Sequence, residues 1–314
     1  MQLHCNFLPQ DDGRCGWYET LPPPPPSTPR GTVQADWVVL GAGYAGLAAA
    51  RRLAELQPEA SVVLIDAKRV GFGAAGQLRL HGRPAPRPDL AQLYQQSRGR
   101  PQDHPPEPRR HRLHREIVQR HGIDCDWREQ GKLHGAANER GGQALEAFAK
   151  GLSALGEPYR LLDAKQMKAV TGSDFYQAGL HAPGAVLVQP AALSRGLGQS
   201  LPANVRLFED SPVLDIEVGK PHRLTTAQGC VQAPRLVLAN NAYAASFGEL
   251  GLKGRLLPVY TYGSMTRPLT AEEQARLGGE QSWGLIPADP LGSTVRRLAN
   301  GRICVRNSSP TTPR

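Results

Sequence analysis

The stretch from Asp36 to Asp66 constrains this chain more than any other. It opens with a short apolar run, Asp36 to Leu40 (DWVVL), too uniformly apolar for a strand with one wet face and suited to one buried on both. Gly41-Ala42-Gly43-Tyr44-Ala45-Gly46 follows, then an alanine-rich helix through about Leu56, then Ser61 to Ile65 (SVVLI), a second buried strand ending at Asp66. Strand, turn, helix and strand in this order form a βαβ unit, which implies a parallel sheet covered by helices. Gly41 permits the tight turn out of the strand, Gly43 lets a pyrophosphate approach the backbone, and Gly46 lets the helix pack closely on the sheet. The helix N-terminus then offers free N–H groups and a partial positive charge to phosphates. Asp66 lies 20 residues after Gly46, where a carboxylate accepts hydrogen bonds from both ribose hydroxyls and disfavours a 2′-phosphate. The pattern reads as dinucleotide binding against the plainer alternative of a glycine turn that only packs, and it does not separate FAD from NAD.

With 314 residues, 40% apolar and 21% charged, the chain is long enough for one large domain or two interleaved ones. No apolar run approaches the roughly 20 residues needed to span a bilayer, and Met1 to Gln10 lacks the basic cluster and apolar core of an export signal, so the expectation is a cytoplasmic protein without a membrane partner. The cysteines, Cys5, Cys15, Cys125, Cys230 and Cys304, are odd in number, scattered and without zinc spacing; they read as reduced thiols, and no metal is expected. Residues Met1 to Thr32 include a proline run, Pro22 to Pro26, which favours polyproline II and reads as a solvated lead-in without a core of its own. Further along, Gly141 to Leu155 and Pro190 to Leu201 read as helices. Asn204 to Val218, Leu224 to Ala239, Leu256 to Thr266 and Gly301 to Val305 carry β-type runs.

The net charge of +9 is unevenly placed. Between Gln77 and Arg115 stand nine arginines, no lysine and three acids, so this window supplies 9 − 3 = +6 of the total. It also holds seven of the 28 prolines and shows neither helical nor strand periodicity, which reads as a solvated, disordered segment. Clustered arginines neutralise phosphates, but no nucleic-acid-binding fold or aromatic platform accompanies them, so no nucleic-acid partner is expected. His111 and His114 have no acidic or thiol ligand in a pattern that would hold a metal.

Several segments resemble the FAD-dependent oxidoreductases of the D-amino-acid oxidase and glycine oxidase superfamily, the gamma-glutamylputrescine oxidoreductase group above all. They are ADWVVLGAGYAGLAAARRLAEL (Ala35 to Leu56), VVLIDAKRVGFGAAG (Val62 to Gly76), HGIDCDWREQGKLHGA (His121 to Ala136), SPVLDIE (Ser211 to Glu217), APRLVLANNAYA (Ala233 to Ala244) and LPVYTYGSMTRPL (Leu257 to Leu269). The resemblance implies FAD as cofactor. Gly41, Ala42, Gly43, Tyr44, Ala45 and Gly46 would lie at the pyrophosphate, Asp66 and Ala67 at the ribose, and the backbone of Val213 at the adenine. Ala239 and Asn240 would close over the ADP half, and the loop Gly71 to Gly76, with Gly73, Ala74 and Ala75, would run towards the flavin. Tyr260, Tyr262 and Arg267, on a strand resembling one of the substrate domain, would line the substrate cavity or serve as ordinary packing and surface positions. The resemblance assigns no catalytic acid or base. The family loop has serine where this chain has Ala75 and continues with an asparagine-serine-glycine segment, in place of which Gln77-Leu78-Arg79 stands here.

That departure has a reading in the genetic code. QLRLHGRPAPRPDLA, from Gln77, has an encoding that, started one base later, reads NSGFMVDLPHDLTSP, which begins with the expected segment. PEPRRHRLH (Pro106 to His114) similarly shifts to LNRAAIAFT. The window therefore reads as a native segment replaced through two compensating frame changes, with a third near Ser308 to Arg314 truncating the chain.

The fold expected is α/β: a Rossmann-type FAD-binding domain with a parallel sheet, interleaved with an incomplete antiparallel substrate domain. The division is a proline-rich lead-in at 1–32, FAD-binding domain at 33–76 and 189–247, the atypical segment at 77–115, and substrate domain at 116–188 and 248–314. The resemblance implies an enzyme that moves hydride from an amine carbon to flavin N5, with a small-molecule amine and oxygen as partners. Two alternatives stand beside it: an inactive frame-damaged remnant with at most nucleotide binding, and an NAD-dependent dehydrogenase.

Overall fold

A computed structural model describes residues 1–6, 8, 15–22, 28–76, 80–81, 108–252, 255, 261–289 and 292–308. The chain divides into two compact units, each discontinuous in sequence: unit 1 comprises Met1–Gln77, Glu116–Cys125 and Gln189–Pro258, and unit 2 comprises Leu78–Arg115, Asp126–Val188 and Val259–Arg314. Among the described residues, no helix is long and apolar enough to cross a membrane. All five cysteines are free thiols.

Unit 1 is built on the expected βαβ unit. Trp37–Leu40 pairs in parallel with Val62–Ile65, flanked by Leu236–Leu238 on one side and Val205–Phe208 on the other, giving a four-stranded parallel sheet. Val62, Val63, Leu64 and Ile65 are all fully buried, as a run without alternation requires. The helix Tyr44–Leu56 buries Gly46, Leu47, Ala50 and Ala54, a stripe of small residues that brings its axis close to the strands. From the other face, Val38, Leu40, Val63 and Ile65 join Ile216, Leu224, Val231 and Phe247 in one core, shared with a five-stranded sheet of order Gln2–His4, Asp215–Glu217, His222–Thr225, Gly229–Ala233, Gly31–Gln34. Fully burying each such side chain stabilises by about 1.5–3 kcal/mol.

Unit 2 carries a seven-stranded sheet in the order Thr261–Met265, Ile303–Ser308, Thr294–Arg297, Trp283–Pro287, Lys132–Ala136, Ala178–Ala182, Arg160–Asp163. Every pair is antiparallel except Trp283–Pro287 with Lys132–Ala136. The helix Glu139–Ala154 packs Leu145, Phe148, Ala149 and Leu152 against Ala136 and Leu180, and Asn138 caps it by accepting from the Gly141 N–H. Met167, on the helix Ala164–Thr171, packs with Leu133, Leu162, Trp283 and Leu285. An Asp163–Gln166 capping box starts that helix and left-handed Gly172 ends it.

Two expectations need correction. The first 32 residues are not a coreless lead-in: Gln2–His4 and Gly31–Gln34 are the outer strands of the five-stranded sheet, Leu3 is fully buried and Trp17 is 5% exposed. A few apolar side chains with strand partners far along the chain suffice to anchor the segment. Nor is the window from Gln77 to Arg115 without structure throughout: Leu80–His81 pairs with Val186–Leu187, and a helix spans Pro108–Arg120. Proline at the first helical position and the following arginine, leucine and glutamate are compatible with a helix whatever the apolar period. Residues 77–79 and 82–107, with six of the window's seven prolines, lie outside the described residues. The boundaries also differ, since 116–125 belongs to unit 1 and unit 1 extends to Pro258.

If the N-terminal strand belongs to the core, Leu3→Ala should lower the unfolding free energy by about 2–5 kcal/mol, read from the denaturant midpoint. An unchanged midpoint would mean that the strand is detached.

Candidate cofactor-binding site

The geometry of the glycine turn follows from missing side chains. Gly41 leaves the strand at φ +105°, and a Cβ there would stand 2.7 Å from the Ala239 carbonyl oxygen and 2.8 Å from Asn240 Cα. A Cβ on Gly46 would lie 1.7 Å from the Gly41 carbonyl oxygen, so the helix rests directly on the turn. Gly43 differs: the nearest atom to a Cβ there is Ala75 Cβ at 3.9 Å, which leaves the space above it open. No side chain caps the helix and no acid stands in its first turn, so its positive end is kept for an anion.

Asp66 occupies the end of the second strand. Its Oδ2 accepts the Ala42 N–H at 2.6 Å and its Oδ1 the Lys68 N–H at 2.9 Å, which ties the carboxylate to the turn and leaves lone pairs for other donors. Burial pushes this carboxyl above its ordinary range, against the downward pull of the Lys68 and Ala42 amides. The Asp66 carbonyl accepts the Ser211 N–H at 2.9 Å, bringing the segment with Val213 alongside. Val213 is buried, and among the described residues its amide and carbonyl have no hydrogen-bond partner. Ala239 donates its N–H to the Leu40 carbonyl at 2.8 Å, and the next residue, Asn240, buries a side-chain Oδ1 that has no hydrogen-bond partner among the described residues. Gly71, at φ +81°, packs on Ala191 and Ser194. Nothing lies within 4 Å of a Cβ on Gly73, and the single turn Ala74–Gly76 brings Ala75 beside Gly43.

The turn from Gly41 to Gly46, Asp66, Ala239, Asn240 and Ala75 thus meet in unit 1, with Ala67, Val213, Gly73 and Ala74 in the adjoining segments. The site suits a dinucleotide: open space at Gly43 for the pyrophosphate, an acceptor with lone pairs to spare at Asp66, and an orphaned buried oxygen at Asn240. The other three candidates lie in unit 2. Tyr260 falls outside the described residues. Tyr262 is 53% exposed on the strand Thr261–Met265. Arg267 is exposed and donates from both terminal nitrogens to Glu273 at 2.7 Å each, a pair that holds the Glu273 carboxyl down to about 2 and braces the Thr270 capping box.

Sequence reasoning missed a group of cations inside the seven-stranded sheet. Lys132, Arg296 and Arg297 are buried, and the register places Lys132 and Arg296 on either side of Gly284. Arg296 donates to the Val188 carbonyl at 2.8 Å, and burial lowers its pKa to about 10. His134 meets Phe148 with tilted rings, centroids 4.5 Å apart; burial, with the Lys132 charge next, lowers its pKa to about 3, so its ring is neutral near pH 7. Charged residues within strands are the only sequence sign of this group, and they look the same as residues on a wet face.

The three glycines should separate by experiment. Gly46→Ala should fail to fold, because backbone must move. Gly43→Val should fold with a near-native melting temperature and lose measurable ADP binding, because its side chain fills only the open space. ADP binding by folded Gly43→Val would remove the turn from the site.

Comparison with known proteins agrees with this geometry. A family model described as "DAO: FAD dependent oxidoreductase" matches residues 36–313. The chain is 30% identical over 290 residues to the gamma-glutamylputrescine oxidoreductase of Escherichia coli K12, covering 87% of this chain and 64% of that protein. It is 28% identical over 253 residues to the probable oxidoreductase OrdL of Haemophilus influenzae, covering 75% and 56%. It therefore spans less than two thirds of the length of these curated relatives. Among solved structures, glycine oxidase from Geobacillus kaustophilus superposes with a TM-score of 0.66 at 22% identity (89% of this chain, 73% of that one). L-proline dehydrogenase from P. horikoshii gives 0.64 at 16% identity (90% and 74%), and these two likenesses concern the fold. With nearly its whole length matched and a turn shaped for a dinucleotide, the chain belongs to the DAO family of FAD-dependent oxidoreductases.

Proposed function

We propose that the chain binds FAD in unit 1 and serves the oxidation of a small-molecule amine at a carbon–nitrogen bond, with gamma-glutamylated amines as the substrate class. The observation that carries the cofactor assignment is an open glycine turn and an uncapped helix N-terminus flanked by Asp66 on one side and the orphaned Asn240 oxygen on the other. In this reading Gly43 would take the pyrophosphate, Asp66 would accept from the ribose hydroxyls, the Val213 backbone would meet the adenine, and Ala239 and Asn240 would close over the ADP half. Bound flavin would supply a two-electron acceptor for hydride from the carbon next to nitrogen, with oxygen as the terminal acceptor. The protein orients the substrate, keeps its amine neutral and excludes water. The substrate class is taken from the E. coli relative.

A second reading keeps FAD binding and removes most of the turnover. Its support is the loop itself, with Ala75 where the resemblance calls for serine and Gln77-Leu78-Arg79 where it calls for asparagine-serine-glycine. Replacing Gln77 to His114 by the shifted reading discriminates the two: the repaired chain should release peroxide from gamma-glutamylputrescine at least tenfold faster. Equal turnover by both chains would make the arginine-rich window a native feature.

Flavin titration tests the cofactor assignment. One equivalent of FAD should bind with a change in the flavin absorption bands, and Asp66→Asn should weaken binding by about 1–3 kcal/mol. Ribose hydroxyls donate to the ionised carboxyl, so affinity should be full above the raised Asp66 pKa and fall as pH is lowered through it, a dependence that Asp66→Asn should flatten. A folded chain that stays colourless and binds NAD would overturn the assignment.

A further inference from the structure

The segment 15–22 lies against the loop that leads into the cofactor site. It is a compact turn, with the Tyr18 and Glu19 N–H groups donating to the Cys15 carbonyl at 2.8 and 3.0 Å, and it buries Cys15 and Trp17. The Tyr18 hydroxyl donates to the Val70 carbonyl at 2.5 Å, and its ring meets Phe72 edge-on at 5.4 Å. The Arg195 guanidinium lies over the same ring at 5.4 Å. Gln189 fastens the segment from the other side: its Nε2 donates to the Trp17 carbonyl at 2.8 Å and to Thr20 Oγ1 at 3.1 Å. Its Oε1 accepts the Ala192 N–H at 2.7 Å, so one side chain holds the segment and caps the helix Pro190–Gln199.

Val70 is held at both ends of its peptide. Glu209 accepts its N–H at 2.6 Å and Tyr18 donates to its carbonyl. Val70 is 2% exposed, so either group would be costly to leave unpaired. Gly71 then turns at φ +81° against Ala191 and Ser194, and within four residues the chain reaches Ala75 beside Gly43. Val70 thus anchors the start of the loop that brings Ala75 to the open space at Gly43. Burial, with the Glu209 charge next, raises the Tyr18 pKa to about 12, so the hydroxyl remains a donor well above neutral pH.

We propose that the segment 15–22 is a strap that fixes the loop Val70 to Gly76, and that Tyr18 is the positioning residue through which it sets the affinity for FAD. This rests on the reading of unit 1 as an FAD site. Asp66 is bonded to Ala42, whereas Ala75 stands by Gly43, one residue further along the turn. The loop Val70 to Gly76 passes Gly43, so the strap acts on the pyrophosphate and, in this reading, on the flavin half beyond it, while the adenosine half rests on Asp66, Val213 and Asn240.

Tyr18→Phe removes the hydroxyl and keeps the ring, and two measurements follow from it. In cofactor-free protein, amide hydrogen exchange at residues 70–76 should quicken roughly fivefold to twentyfold, as expected for one lost buried hydrogen bond, with no change in the seven-stranded sheet. FAD affinity should fall by a similar factor with a shift in the bound flavin's absorption, while ADP, which makes no contact beyond the pyrophosphate, should lose affinity by a clearly smaller factor. Unchanged exchange, or equal loss of FAD and ADP affinity, would overturn the proposal, the second because a general loosening of unit 1 weakens both ligands. If wild-type protein binds ADP but not FAD, Tyr18 does not set FAD affinity and the proposal fails. If it binds neither, the cofactor reading fails as well, and the exchange data still decide whether the strap holds the loop.

Discussion

Unit 1 depends on a close approach of backbone to backbone. The helix Tyr44–Leu56 sits where a Cβ on its third residue would overlap the Gly41 carbonyl, and the turn sits where a Cβ on Gly41 would overlap Ala239. Three elements, the end of the strand Trp37–Leu40, the helix start and the end of the strand Leu236–Leu238, therefore converge with only the Ala239 methyl reaching between them. That convergence leaves room at Gly43 and puts an uncapped helix end beside Asp66. Core packing of Val38, Leu40, Val63 and Ile65 holds the strands, but the absence of three Cβ atoms gives the site its shape.

Asp66 shows how one side chain joins fold and site. Its two bonds to the Ala42 and Lys68 amides fasten the turn to the second strand, and its carbonyl does the same for the segment before Val213. The carboxylate is partly buried at some electrostatic cost, which fits a group whose remaining lone pairs await donors. Around this centre, the loop from Val70 to Gly76 is braced by Glu209, the Pro190–Gln199 helix and Tyr18, all from unit 1.

The parts legible in the sequence were those with local causes. Buried parallel strands read as apolar runs, the glycines read as close approaches, and the helices Glu139–Ala154 and Pro190–Gln199 fall within a few residues of their expected spans. What escaped depends on partners far away in the chain. Gln2–His4 is three residues long and has no pattern of its own; its pairing with Asp215–Glu217 makes it a strand. Trp17 and Tyr18 precede a proline run and look solvated until Gln189 and Val70 are placed beside them. Arg296 and Arg297 stand together in a short strand and read as wet-face or edge residues, yet the strand lies inside a seven-stranded sheet and both side chains are buried. Arginine-rich composition hid the helix Pro108–Arg120, because a helix can form without an apolar period.

The account turns on one claim, that the space over Gly43 receives the pyrophosphate of FAD. Amide NMR spectra of the cofactor-free chain titrated with FAD test it most directly. The largest shift changes should fall at residues 41–46, 66–68, 73–76 and 239–241, with the Gly43 to Ala45 amides moving downfield as they donate to phosphate oxygens. Saturable FAD binding that leaves the glycine-turn amides unmoved would contradict the account.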